Sequence, residues 1–261
     1  MKFVKNFIME TGIAKDMKNL KGKVAWITGG KRIGKKVAEI LAKNGVNIVL
    51  SYNKSKKDAE ETRDNVENIG VKSEIIKCDV SCRDEIRDTV NLIKNKFGKL
   101  DILILMASDF EKVKLEDINE EVLQKNFDVH VKGSLFCILE SLKIMPQSSH
   151  IITFSEKSTS TGVYREYLPY VLTKGSIEYM TKELAPELGK KGVFINSIIP
   201  GPILKPADVA DEYWKEIKSK SALNHNVADE EAVAEVANMV LNLSTAKSTG
   251  STFNVNMGHI S

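Results

Sequence analysis

Seven short apolar runs alternate with six longer amphipathic stretches along this chain, and no other feature limits its possible folds as much. Strands separated by helices cannot pair through tight hairpins, so the alternation predicts parallel strands joined by crossover helices. Strands are expected at Val24 to Thr28, Asn47 to Ser51, Ser73 to Lys77, Leu100 to Met106, His150 to Phe154, Val193 to Ile198 and Thr252 to Val255. Helices are expected at Lys35 to Asn44, Asp58 to Ile69, Arg83 to Phe97, Asn119 to Met145, Tyr170 to Leu188 and Ala228 to Leu243. No Pro/Gly/Ser-rich linker divides the series, so residues 21–261 read as one α/β domain, a doubly wound seven-stranded parallel sheet flanked by helices.

Two segments fall outside the alternation. Residues 1–20 form an N-terminal extension with Phe3, Phe7 and Ile8 at helical spacing, and a short amphipathic helix packed on the body or on a neighbouring subunit is expected. Residues 203–227 carry Pro206, Tyr213 and Trp214 between the sixth strand and the last helix, a candidate lid over a pocket.

Composition narrows the function. Of the 261 residues 42% are hydrophobic and 28% charged, enough to bury a core without disulfides and incompatible with collagen, coiled coil or disorder. Lys+Arg 38 against Asp+Glu 35 leaves +3, too balanced to require nucleic acid or an anionic membrane, and no basic stripe is interleaved with aromatics. Cys78, Cys82 and Cys137 lack zinc-ligand spacing and read as reduced thiols of a cytoplasmic protein, while His150, His225 and His259 are too dispersed to predict a metal site. No run of 18 apolar residues exists, and Glu10 and Asp16 follow the opening segment, so neither a membrane span nor a signal peptide is expected.

The first strand runs into Thr28-Gly29-Gly30-Lys31-Arg32-Ile33-Gly34 and then a helix. Glycines there let the backbone approach a pyrophosphate at a helix N-terminus, which is the setting of a dinucleotide-binding turn. An acidic residue near the end of the second strand would bind the ribose hydroxyls of NAD. Here that stretch reads Ser51-Tyr52-Asn53-Lys54-Ser55, with no carboxylate to repel a 2′-phosphate, while Arg32, Lys54 and Ser55 can contact one. NADP(H) is therefore favoured over NAD(H). Asp79, ahead of Val80, is placed for an adenine amino group, and a helix-capping role for the neighbouring Ser81 explains the same segment.

Tyr170-Val171-Leu172-Thr173-Lys174 puts a tyrosine and a lysine on one helical face toward the carboxyl ends of the strands. An ammonium there favours tyrosinate and lowers the tyrosine pKa toward working pH, so Tyr170 could protonate a carbonyl oxygen as a nicotinamide delivers hydride to its carbon.

In their order these motifs resemble the short-chain dehydrogenase/reductase family over residues 21–258, which implies a single-domain Rossmann fold. The glycine turn, the Tyr-x-x-x-Lys signature, Asn196 to Ile203 beside the nicotinamide, and Thr249-Gly250 to Gly258 at the last strand carry the likeness. By resemblance, Ala107, Ser108, Pro200, Gly201 and Ile203 line the cofactor, Lys174 also holds its ribose, and the protein is a dimer or tetramer acting on a small molecule. Lys31-Arg32-Ile33-Gly34 is similar to pteridine reductases, whose arginine there contacts the NADP phosphate.

The sequence departs from the family pattern at the active site. The glycine turn is one residue shorter, and the Asn-Asn-Ala-Gly expected after the fourth strand reads Leu105-Met106-Ala107-Ser108. His130 stands at the usual helix asparagine, either replacing its hydrogen bond or titrating near neutral pH in a proton relay. Glu156 falls at the usual serine, with Ser155 and Ser158 one and two residues away, and would need a raised pKa to donate a hydrogen bond. Lys205 replaces a threonine and could meet cofactor phosphates or an anionic substrate.

The leading expectation is an NADPH-dependent reductase of a carbonyl or imine-like bond, with Tyr170, Lys174, Glu156, His130 and Ser155 as its catalytic set. Tyr167, seven residues before Lys174, gives the Tyr-x6-Lys spacing that resembles enoyl-acyl-carrier reductases. A degenerate member serving as an NADP(H) sensor or scaffold is the non-enzymatic alternative.

Overall fold

The computed structural model describes residues 20–156, 166–205, 210–223 and 227–258. Strands β1 (Val24–Thr28), β2 (Asn47–Tyr52), β3 (Ser73–Lys77), β4 (Ile102–Leu105), β5 (Ser149–Phe154), β6 (Val193–Pro200) and β7 (Thr252–Val255) form one sheet in the order β3-β2-β1-β4-β5-β6-β7. Every neighbouring pair is parallel. Helices cover both faces, which is why β1, β4 and β5 are buried along their whole length, with β4 an unbroken apolar run and β5 keeping Ser149, His150 and Thr153 among its apolar residues.

On one face pack α1 (Ile33–Lys43) and α8 (Asp229–Leu243), bringing Val37, Leu41, Val236 and Val240 onto Ile27 and Ile104. On the other lie α3 (Arg83–Phe97), α5 (Gly133–Ser141) and α6 (Leu168–Lys190), with Ile86, Ile93, Ile138 and Leu188 against Trp26 and Leu103. Helices α2 (Lys56–Asn68), α4 (Glu120–Phe127) and α7 (Asp211–Ser219) are the other α-helices among the described residues. The strand order reverses between β1 and β4, and a crevice opens at such a switch point beyond the carboxyl ends of the strands. Register aligns those ends, with Thr28 opposite both Ser51 and Leu105, and Thr153 opposite Leu105 and Ser197.

Two elements differ from expectation. β4 spans four residues rather than Leu100 to Met106. At its start the Asp101 carboxylate accepts the Val24 N–H (2.9 Å), and at its end the Met106 and Ala107 N–H groups both turn to Thr28 Oγ1 (2.9 and 3.0 Å). The helix expected over Asn119 to Met145 is instead α4 and α5 joined by a π turn, Asp128–Lys132, and it ends at Ser141. The aromatic excursion after β6 contains α7, whose Trp214 is buried. The expectations on residues 1–19, Ser158, Pro206, His225 and His259 lie outside the described residues.

All three cysteines are free thiols. Among the described residues no helix is long and apolar enough to cross a membrane, and no cluster of His, Cys, Asp or Glu could hold a metal ion.

Candidate active site

The carboxyl ends of the strands open into one cleft of about 960 Å³. It is lined by the turn after β1 (Gly29, Lys31, Arg32, Ile33), by Tyr52 to Ser55 after β2, and by Asp79 and Val80 after β3. Ala107 and Ser108 after β4, Ser155 and Glu156 after β5, Pro200, Gly201 and Ile203 after β6, and Tyr170 and Lys174 of α6 complete the predicted set in its wall. Thr28, Gly30 and Gly34 stand behind that wall. Thr28 ties β1 to the β4 end, and a Cβ on Gly34 would lie 2.2 Å from the Gly29 carbonyl oxygen, so α1 can approach the strand closely only with glycine at its start.

The short turn carries an unusual residue. Arg32 has φ 57°, a left-handed backbone that disfavours any side chain and costs about 1–3 kcal/mol. Its guanidinium crosses the cleft to donate to the carbonyls of Leu204 (3.0 Å) and Lys205 (3.3 Å). Lys205 itself pairs with Asp211 at the start of α7, an exposed ion pair at the rim.

At the far end, Asp79 accepts from the Ser81 N–H and hydroxyl (2.9 and 2.7 Å) and from the Asn53 amide (2.8 Å). Burial opposes its charge, but those hydrogen bonds hold its carboxyl below the usual range. Its own N–H is received by Glu85 (2.8 Å), a partner that no motif or spacing singles out.

At the reacting end the Tyr170 hydroxyl donates to Glu156 Oε2 (3.0 Å). Lys174 is buried, donates to the Phe154 carbonyl (3.0 Å) and lies 5.8 Å from the centre of the Tyr170 ring. Burial lowers its pKa to about 8, partly offset by Glu156, which leaves it an ammonium at neutral pH. Ser155 points elsewhere. Its hydroxyl donates to the backbone carbonyl of Lys174 (3.0 Å) and ties β5 to α6, so the side chain that meets Tyr170 is Glu156.

His130 sits in the π turn and is 1% exposed. The neutral-range titration expected of it does not hold, because burial, reinforced by Lys174, depresses its pKa to about 3. Its ring nitrogens meet Ser108 Oγ (3.0 Å), the Asp109 N–H (3.0 Å) and Thr173 Oγ1 (2.8 Å).

Sequence reasoning missed Phe110, which stacks on Tyr167 (4.4 Å between centroids) and meets Tyr170 edge-on (4.8 Å). A lone aromatic in an aperiodic loop carries no pattern that could have marked it. It also missed Lys125, which pairs with Asp109 (2.7 Å) and Glu111 (2.9 Å) at the rim.

A family model described as enoyl-(acyl carrier protein) reductase matches residues 29–259. Glucose and ribitol dehydrogenase homolog 2 of Arabidopsis thaliana is 30% identical over 259 residues, covering 94% of this chain and 88% of that protein. NADPH-dependent aldehyde reductase 1, chloroplastic, of the same plant is 32% identical over 211 residues, 77% of this chain and 72% of that protein. Among solved structures, a short-chain dehydrogenase/reductase from Serratia marcescens BCRC 10948 superposes with a TM-score of 0.85 at 26% identity, covering 92% of this chain and 99% of that one. Agreement that extends over nearly the whole sheet and its helices, in sequence as well as in shape, has one meaning: the chain belongs to the short-chain dehydrogenase/reductase family of oxidoreductases.

Proposed function

We propose that the protein is an NADPH-dependent reductase of a carbonyl or imine-like bond in a small molecule, with Tyr170 as its proton donor. The observation that carries this reading is the Tyr170 hydroxyl in the cleft, hydrogen-bonded to Glu156 and carried one helical turn before Lys174. Because the Glu156 carboxylate accepts that bond, the phenol is held protonated, ready to act as an acid. The Lys174 ammonium then stabilises the phenolate left when the proton passes to the substrate's oxygen or nitrogen. Bound NADPH would supply the hydride.

The cleft fits that cofactor. Its glycine turn leaves the α1 N-terminus open to a pyrophosphate, and Pro200 to Ile203 would flank the nicotinamide. Lys54 and Ser55 line the cleft directly after β2 with no carboxylate beside them, and Arg32, whose guanidinium holds the Leu204 and Lys205 carbonyls, would have to turn from them to meet a 2′-phosphate. The likeness to a plant NADPH-dependent aldehyde reductase supports the same choice. Side-by-side fluorescence titrations with NADPH and NADH should give the tighter binding to NADPH. Arg32→Ala should weaken NADPH about ten- to a hundredfold, the worth of a hydrogen bond to a charged group, and leave NADH nearly unchanged. Equal loss for both nucleotides removes Arg32 from the 2′-phosphate, and binding of neither by the parent protein turns the reading toward a scaffold.

The same reading includes self-association. Leu123 and Phe127 of α4, Leu139 of α5, and Leu168, Leu172 and Tyr179 of α6 are each at least 40% exposed, and a groove of about 600 Å³ lies between α4 and α6. Of these, Leu123, Phe127 and Leu172 line the groove together, and an exposed apolar surface of this kind suits an interface, here with a second copy of the chain. Light scattering should report a dimer or tetramer, and Phe127→Glu with Leu172→Glu should yield a monomer. A monomeric parent protein would sink the assignment.

A further inference from the structure

We propose that His130 is a positioning residue, which in its neutral Nδ1–H form fastens the Ser108–Phe110 segment to α6 through Thr173 and so fixes Phe110 as the wall of the substrate pocket. The substrate part of this statement rests on the reductase reading, whereas the fastening stands on hydrogen-bond geometry alone.

The network closes in one tautomer only. A backbone N–H can only donate, so the Asp109 N–H at 3.0 Å requires an unprotonated Nε2, and the Ser108 hydroxyl shares the same lone pair. The single hydroxyl hydrogen of Thr173 is committed to a helix carbonyl, that of Pro169 (3.0 Å) or Tyr170 (2.9 Å). Its oxygen therefore presents a lone pair to Nδ1 at 2.8 Å, and the imidazole donates there. A second proton on the ring would displace the Asp109 N–H, and burial opposes that charge.

Phe110 directly follows the amide so held. With Asp109 fixed, its ring is set against Tyr167 and edge-on to the proton donor Tyr170, and the exposed part of the side chain lines the cleft. The anchor packs closely against the segment after β3, because a Cβ on Gly133, directly after the π turn, would lie 2.8 Å from the Val80 carbonyl oxygen. Thr173, inside the Tyr-x-x-x-Lys segment, thus links the proton-donor helix to the pocket wall through one imidazole.

The test uses the full chain with 15N-labelled histidine. One histidine should show a protonated Nδ1 and a bare Nε2. Thr173→Val removes the acceptor and should move that histidine toward the Nε2–H form and speed amide exchange at Asp109 at least tenfold. The sheet amides of Ile27 and Ile152 should keep their protection, which separates the effect from unfolding. Thr173→Ser should restore both signals. With NADPH and 4-nitrobenzaldehyde as the turnover pair, Thr173→Val should raise KM about tenfold with kcat changed less than threefold. An Nε2–H histidine in the parent protein, an unchanged tautomer and exchange rate in Thr173→Val, or a serine variant that behaves like valine would each overturn the proposal. Absence of aldehyde turnover in the parent protein counts against the reductase reading, while the tautomer and exchange results still decide the fastening.

Discussion

Tyr170→Phe is expected to lower turnover by about 10²- to 10⁴-fold, the usual worth of a positioned general acid. The ring is kept, so its packing against Phe110 and His130 survives and NADPH affinity should change by less than threefold. Tyr167→Phe is the informative partner. Tyr167 is buried in a stack with Phe110 and does not line the cleft, so removing its hydroxyl should leave kcat within about threefold. Stopped-flow hydride transfer with both variants measures the contrast. The opposite result, a silent Tyr170 and an essential Tyr167, would hand the chemistry to the enoyl-thioester reading.

The second large effect is loss of stability in mild acid. His130 and His150 are both buried, and burial lowers their pKa values to about 3 and about 4. His150 stacks on Phe194, and its Nδ1 has no hydrogen-bond partner among the described residues. In the unfolded chain each histidine binds a proton near pH 6.5, so between that pH and the folded values the unfolded state carries more protons. Stability is therefore full above about pH 7 and falls as the pH drops, by roughly 2 kcal/mol per histidine at pH 5. Urea unfolding at pH 8 and pH 5 should show the fall, and His150→Phe should lose about half as much between the two. A midpoint that stays level across that range, or an equal drop in the variant, would refute the account.

The ends of β1 were legible because a parallel strand buried on both faces is a short apolar run, and those of the edge strands β3 and β7, which are only partly buried, because turn and helix residues bound them. The end of β4 was not. Its boundary is decided by Asp101 and Thr28, side chains that take over backbone hydrogen bonds from the ladder, and hydropathy does not register such substitutions. Helix periodicity likewise cannot detect the π turn, since one additional residue leaves each flanking segment amphipathic on its own. At the site, spacing placed Tyr170 and Lys174 on one face, but the choice between Ser155 and Glu156 depended on where β5 stops and α6 passes. The carbonyl of Lys174 claims the Ser155 hydroxyl and leaves the next residue to face Tyr170. Arg32 was expected from its place in the turn to meet a phosphate, yet its reach to Leu204 and Lys205 accompanies a backbone angle that no side-chain pattern encodes.

The π turn between α4 and α5 acts as a phase shifter. Each α-helical residue advances about 100° around the axis, so one extra residue in a turn rotates everything before it by that angle relative to everything after. The downstream half keeps Cys137 and Ile138 seated on the sheet, while the upstream half independently aims Glu121, Gln124 and Lys125 at the cleft. Rim chemistry on α4 can thus be rewritten without repacking the core beneath α5, and a lineage exploring new substrates has in this turn a place where the two tasks are geometrically decoupled.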